Sequence, residues 1–92
     1  MKWLNCQVNQ GQFSDEYAIK GKLFNSKDFS MFVSCSYVKV DPPPEQGNPV
    51  NGLMQVSVLE EKDDLVLISL PGQSFENGYT VTVKKDQLKD NT

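Results

Sequence analysis

Hydrophobic and polar residues alternate with a period of two along most of this 92-residue chain. In WLNCQV, residues 3–8, Leu4, Cys6 and Val8 alternate with amide side chains. This period is typical of β-strands with one buried face. Such a pattern, or a short apolar run, occurs at residues 3–8, 16–21, 30–40, 53–60, 64–71 and 79–85. The run DLVLISLP is apolar on nearly both faces, so we expect it to be the most central strand.

Helical signals are weak by comparison. Residues 25–32, NSKDFSMF, predict at most one or two turns with Ser26 as the N-cap. Residues 84–90, KKDQLKD, predict one 3₁₀ or helical turn with Leu88 beneath the sheet. The chain is therefore predicted to be all-β, with at most two short helical turns.

The connections between these segments are mostly short. EEKDD, residues 60–64, is a tight charged turn and predicts an antiparallel hairpin between 53–60 and 64–71. DPPPEQGNPVNG, residues 41–52, is the one long loop, because consecutive prolines favour polyproline II and supply no N–H donors. We therefore expect no central strand in 41–52.

The length of 92 residues predicts one domain over residues 1–92. Because the connections are too short for parallel crossovers, we expect consecutive strands to be antiparallel. The economical arrangement is a small antiparallel barrel of five or six short strands, of the SH3-like type. The proline-rich loop 41–52 would join the first three strands to the last three. A small two-sheet β-sandwich is the alternative fold.

Two stretches of the chain resemble each other, GQFSDEYAI at residues 11–19 and GQSFENGYTV at 72–81. A duplication would repeat the flanking strands at a fixed period, whereas KGKLFNSKDFS follows the first stretch and TVKKDQLKD the second. Both stretches lie between predicted strands and contain glycine with asparagine or aspartate, which are turn residues. We therefore interpret the resemblance as shared turn chemistry.

The charge of the chain argues against a nucleic-acid ligand. The formal net charge is −3, and all nine basic residues are lysine, which lacks the bidentate geometry of arginine. A phosphate backbone needs positive charge gathered on one face. A lysine-rich face formed by Lys20, Lys22, Lys84 and Lys85 would support such binding, so a nucleic-acid-binding barrel is an alternative and not the preferred function.

The residue types in this chain argue against an active site and against a metal site. The chain has no histidine, which removes the commonest base and metal ligand, and its two cysteines cannot close a structural zinc site. Nearly all of the twelve carboxylates lie in predicted turns, outside the apolar surroundings that raise a catalytic pKa. We therefore expect no catalytic residues, no metal site, no cofactor and no enzymatic activity.

The same features predict a cytoplasmic protein. Cys6 and Cys35 both lie in apolar stretches and are expected to be free thiols, as in a reducing compartment. The longest apolar run, LVLISL at residues 65–70, is far too short to span a membrane. No signal peptide pattern is recognisable at the N-terminus.

Aromatic residues and prolines give the most specific indication of a binding site. Phe13, Tyr17, Phe75 and Tyr79 lie in or beside the two similar stretches. If these loops converge at one end of a barrel, the four rings and the proline segment could line an apolar groove. The candidate binding residues are therefore Phe13, Tyr17, Pro42, Pro43, Pro44, Phe75 and Tyr79. In the competing interpretation the tyrosines are half-buried strand residues and the phenylalanines cover the barrel ends.

These observations predict a non-catalytic interaction module whose partner is another protein. A small enzyme regulator is a further alternative. The Ser-rich outer face of residues 30–40 carries few charges that would discourage strand pairing. A homodimer through this edge strand is therefore also a hypothesis.

Overall fold

The computed structural model describes residues 2–45 and 47–90, which form an all-β structure. The strands are β1 (Lys2–Gln10), β2 (Glu16–Lys22), β3 (Asp28–Ser34), β4 (Val38–Lys39), β5 (Val50–Lys62), β6 (Leu65–Ser74), β7 (Gly78–Lys84) and β8 (Leu88–Asp90). Two 3₁₀ turns, Cys35–Tyr37 and Lys85–Gln87, precede β4 and β8. Among the described residues, no helix has the length and apolar character that crossing a bilayer requires.

All neighbouring strands are antiparallel, in the order β3-β2-β1-β5-β6-β7. The short strand β8 pairs with β1, and β4 pairs with β5. The sheet curls into a half-barrel that brings β3 against β6, as the prediction of a small antiparallel barrel requires. β1 and β5 occupy the centre of this order, so the apolar run of β6 is not the most central strand.

The concave side of the sheet encloses one hydrophobic core. Leu4 of β1 and Met54 of β5 face each other at its centre, and neither is exposed to solvent. The other side chains of this core come from every long strand: Cys6, Val8, Ile19, Phe29, Met31, Val33, Val56, Val66, Ile68, Leu70, Val81 and Val83. Alternate residues of each strand supply them, because successive side chains point to opposite faces of a sheet.

The predicted hairpin between the two clearest strands is present but longer than expected. Lys62 pairs with Leu65, so only Asp63 and Asp64 form the turn. Asp63 has a φ of 57°, a left-handed conformation that aspartate tolerates better than most side chains. The strands therefore extend through most of EEKDD.

Two boundaries differ from the sequence-based expectation. Residues 50–52, placed in the long loop, begin β5 and pair with β1. The predicted strand 30–40 ends at Ser34, whose side chain accepts a hydrogen bond from Ser36 N and caps the first 3₁₀ turn. The helical turns predicted for residues 25–32 are absent, because residues 25–27 form a turn and residues 28–32 lie in β3. The 3₁₀ turn near Leu88 is confirmed, and Leu88 packs against the core.

The two halves of the chain follow the same order of elements. Three long strands lead into a 3₁₀ turn and a short strand in each half. The equivalent 3₁₀ turns, Cys35–Tyr37 and Lys85–Gln87, lie 50 positions apart, and β3 and β7 are separated by the same interval. The fold is therefore an internal structural repeat.

Strand pairing repeats with the same spacing. Val38 of β4 faces Met54 of β5, and Leu88 of β8 faces Leu4 of β1. Leu4 and Met54 also face each other. The two halves of the chain are therefore related by pseudo-two-fold symmetry, and this pair lies at its centre. Each half contributes its last short strand to the sheet of the other half.

The two similar sequence stretches do not mark this repeat. GQFSDEYAI spans the β1–β2 connection, whereas GQSFENGYTV spans the β6–β7 turn, and these connections are not equivalent in the two halves. In the second stretch Gly78 has a φ of 69°, a conformation for which glycine is favoured. Shared turn chemistry explains the resemblance, while the structural repeat runs through other residues.

Candidate functional site

Four of the seven sequence-predicted binding residues line one groove. Phe13, Tyr17, Pro43 and Pro44 share a cavity of about 560 Å³ at the end of β1. We call it the aromatic–proline groove. The rest of its lining comes from the β1–β2 region and is mostly polar: Gln10, Gly11, Gln12, Ser14 and Glu16.

Hydrogen bonds fix the β1–β2 connection that presents Phe13. Gly11 N donates to the carbonyl of Glu16 at 3.2 Å, and Glu16 N donates to the carbonyl of Phe13 at 3.2 Å. Gln12 N donates to Glu16 Oε1 at 3.1 Å. The loop is therefore closed on itself, yet the Phe13 side chain at its tip remains 66% exposed.

Tyr17 and the prolines form the inner side of this groove. Tyr17 is half-buried against the core, and burial, with a smaller effect from the neighbouring Cys35 thiol, raises its pKa. Pro44 is buried, and its carbonyl accepts a hydrogen bond from Gln10 Nε2 at 3.2 Å. Pro43 is exposed. The proline segment is thus attached to the last residue of β1.

The other three predicted residues lie outside the lining of this groove. Pro42 is exposed, as are Phe75 and Tyr79 at 70% and 60%. Phe75 packs edge-on against Phe32, with ring centroids 5.7 Å apart and an interplanar angle of 88°. Phe32 lies on the face of residues 30–40 that the sequence predicts to be Ser-rich and outward, so its contact with Phe75 is not predicted from the sequence.

The β6–β7 turn also contacts the edge of β3. Phe75 N donates to the Ser30 carbonyl at 2.9 Å, and Ser30 N donates to Glu76 Oε1 at 2.8 Å. These bonds occupy the backbone groups of Ser30 on the edge that the homodimer hypothesis would use. They also explain how the turn of one half is held against the third strand of the other half.

A second, polar groove lies where β1 changes its pairing partner. β1 pairs with β8 through Lys2–Leu4 and with β2 through Gln7–Gln10, which leaves a fork between β2 and β8. The cavity in this fork measures about 660 Å³, and we call it the fork groove. Its polar lining consists of Lys20, Lys22, Lys89, Asn5, Gln7, Asn51 and Asp28.

Asp28 organises two of the lysines of the fork groove. Its carboxylate oxygens lie 2.7 Å from Lys22 Nζ and 3.9 Å from Lys20 Nζ. The hydrogen bond from Lys22 lowers the pKa of Asp28. Lys84 and Lys85, which completed the lysine face expected from the sequence, are not part of this lining.

The Cys6 thiol has little reactivity in this fold. Cys6 is buried, and burial raises its pKa to about 12, whereas Cys35 is half-buried, and both are free. A thiol with a raised pKa is a poor nucleophile and ligand at neutral pH. Within residues 2–45 and 47–90, no three histidine, cysteine or carboxylate side chains are grouped so that they could hold a metal ion.

Comparison of the chain with protein-family models, with curated proteins and with solved structures gives no match. The function therefore has to be argued from the two grooves. The first offers exposed apolar surface on a hydrogen-bonded loop, and the second offers ammonium and amide donors.

Proposed function

We propose that this chain is a non-catalytic interaction module that binds an extended segment of another protein in the aromatic–proline groove. The observation that carries the proposal is the position of Phe13, a largely exposed ring on a hydrogen-bonded loop, beside Pro43 and the buried Pro44. An exposed aromatic residue on a fixed loop is a typical anchor of a protein interface.

The groove matches the needs of an extended peptide. Burying an aromatic side chain contributes about 1.5–3 kcal/mol relative to leaving it in water. A peptide that covers the Phe13 ring would therefore gain part of this energy. Gln12, Ser14 and Glu16 surround it with donors and acceptors for peptide backbone groups. Because hydrogen bonds already order the loop, binding requires little further loss of conformational entropy.

Peptide selection tests this proposal directly. A random peptide library displayed on phage would be selected on the wild-type protein, and the affinities of enriched peptides measured by calorimetry. We expect Phe13→Ala to weaken them by at least roughly tenfold, as for a central aromatic anchor. Phe75→Ala is the matched control, since it removes an equally exposed ring outside the groove.

Equal loss of affinity in both variants, or none in Phe13→Ala with the fold intact by NMR, would contradict the assignment of this groove. A loss confined to Phe75→Ala would move the binding surface to the Phe32–Phe75 pair. Enrichment of no peptide at all would count against a peptide-binding module.

Nucleic-acid binding is the less favoured alternative. Lys84 and Lys85 lie outside the groove that Lys20 and Lys22 line, so the four lysines expected to form one face do not share a groove. A phosphate backbone needs positive charge gathered along one face. The proposal also includes a cytoplasmic location, which the free thiols Cys6 and Cys35 support. Affinity capture with and without nuclease separates a protein partner from one recovered through nucleic acid.

A further inference from the structure

The structural repeat provides an internal comparison for the fork groove. β5 also changes partner along one edge, pairing with β4 at Leu53 and Met54 and with β6 from Ser57 onward. This second fork is equivalent to the fork between β8 and β2 on β1. The same backbone arrangement therefore occurs twice in one molecule, with different side chains.

The second fork is filled by its own side chains. Tyr37, Leu70 and Pro71 line it, and the cavity that remains is only about 110 Å³. Strand pairing sets the correspondence between β2 and β6: Ile19 faces Met31 and Ile68 faces Val81, so these two strands are offset by 49 positions and not 50. The first half of the chain therefore has Gly21 at the position of Leu70 and Lys22 at the position of Pro71. Gly21 has to lack a side chain because the Phe29 ring lies where its Cβ would be.

The open fork gathers positive charge in a chain whose formal net charge is −3. Lys20, Lys22 and Lys89 converge on it, with Asp28 as the acidic residue of the lining. Asp28 holds two of the ammonium groups in place through its ion pairs. Lysine binds phosphate as a point charge and does not need the fork geometry of arginine.

Amide side chains complete the donor set of the groove. Asn5 and Gln7 of β1 and Asn51 of β5 lie on the same lining as the lysines. Amides both donate and accept hydrogen bonds, so they suit hydroxyl groups beside a phosphate. The volume of about 660 Å³ lies within the range of small-molecule sites.

We propose that the fork groove binds a small phosphate monoester, with the lysines on the phosphate and the amides on its hydroxylated remainder. The site shares no lining residue with the aromatic–proline groove and does not depend on the function proposed for that groove. The two proposals therefore fail or succeed separately.

Titration followed by ¹H–¹⁵N NMR tests this site in the full chain. Inorganic phosphate, glucose 6-phosphate and sodium sulfate would be added separately at constant ionic strength. We expect saturable shifts of the Asn5, Gln7 and Asn51 side-chain amides, with glucose 6-phosphate binding more tightly than phosphate. Sulfate should give weaker, non-saturating changes.

Variants identify the groove as the origin of these shifts. Lys22→Ala and Lys89→Ala should each weaken glucose 6-phosphate by roughly tenfold, the effect of losing one charged hydrogen bond. Lys62→Ala is the matched control, because Lys62 is a lysine at the end of β5 outside the lining. Spectra of each variant without ligand establish that the fold is retained.

Three results would overturn the proposal. One is linear shifts that follow ionic strength, which indicate a solvated lysine surface. Another is an equal effect of Lys62→Ala and Lys22→Ala. The third is saturation by a single-stranded RNA oligonucleotide, with steep salt dependence and no response to small phosphates.

Discussion

At the scale of single residues, Glu76 shows how one side chain joins the two halves. Its Oε1 accepts a hydrogen bond from Ser30 N at 2.8 Å, and its Oε2 accepts one from the Ser30 hydroxyl at 2.9 Å. These bonds lower the pKa of Glu76 from its ordinary value of 4.5. A carboxyl group with a lowered pKa stabilises the fold above its unfolded pKa, and this contribution disappears as pH falls through the folded pKa.

Replacing Glu76 should therefore change the acid limb of the stability profile. We expect Glu76→Gln to lower the urea midpoint at neutral pH and to flatten its decline between about pH 5 and about pH 3. The flattening is partial, because ion pairs also lower the pKa values of Asp28 and Asp90. Glu60→Gln, at an exposed position of β5, is the control. An unchanged acid limb in Glu76→Gln would contradict the assigned role.

Gly21 is a position where the core allows no side chain. A Cβ there would lie 2.4 Å from the Cε1 and Cζ atoms of the Phe29 ring, which is itself fully buried. We expect Gly21→Ala to reduce the free energy of unfolding by about 1–3 kcal/mol through overpacking. Gly72→Ala is the control, because its Cβ would meet the flexible end of Met31 at 3.3 Å and the Phe32 carbonyl oxygen at an ordinary contact distance of 3.8 Å. Equal stabilities of the two variants in urea unfolding would refute this packing argument.

At the scale of elements, the Asp63–Asp64 turn tests how the β5–β6 hairpin is closed. Asp63 has a φ of 57°, which costs a side-chain-bearing residue about 1–2 kcal/mol relative to its favoured conformations. We expect Asp63→Gly to raise the free energy of unfolding by about 0.5–1 kcal/mol, since part of the gain is offset by greater freedom of the unfolded chain.

The neighbouring residue supplies the control for this turn. Asp64 is not among the residues with positive φ, so Asp64→Gly should be destabilising by about 0.5–1 kcal/mol. Thermal unfolding monitored by circular dichroism compares both variants with the wild type. If Asp63→Gly is as destabilising as Asp64→Gly, backbone strain does not determine the stability of this turn.

Individual elements were also the scale at which the sequence was most informative. Alternation is a local signal, so WLNCQV and YTVTVK were recognised as strands without knowledge of their partners. The break after Ser34 is not predicted because SCSY has the composition of a strand. The 3₁₀ turn there depends on the side chain of Ser34, which accepts a hydrogen bond from Ser36 N and caps the turn. The groove was half predicted: Phe13 lies beside the prolines, whereas Phe75 lies against Phe32.

At the scale of the whole molecule, the order and register of the strands could not be predicted, because they depend on contacts between residues that are distant in the sequence. Which residues face Leu4 is decided by packing between β1, β5 and β8, and no local pattern specifies that choice. The repeat does leave a trace, since WLNCQV at residues 3–8 and LMQVSV at 53–58 alternate in the same phase. The trace was missed because the more visible resemblance lies at non-equivalent turns.

The pseudo-two-fold arrangement makes a prediction about fragments 1–45 and 46–92. Each fragment keeps one partner of its first strand, β2 for β1 and β6 for β5. It lacks the others, since β1 also needs β5 and β8, and β5 also needs β1 and β4. We therefore expect each fragment to be unfolded by circular dichroism. An equimolar mixture should form a 1:1 complex in light scattering, with an NMR spectrum close to that of the intact chain.

Substitutions in the first fragment show whether assembly depends on the buried contacts of Leu4 with Met54 and Leu88. Leu4→Asp in the first fragment places a charge at the buried position opposite Met54 and Leu88, so it should abolish assembly. Gln12→Asp, at an exposed position of the β1–β2 connection, should not. A fragment that folds as a monomer by itself would show that the halves do not complete each other, and the exchange of β4 and β8 would then be incidental to stability.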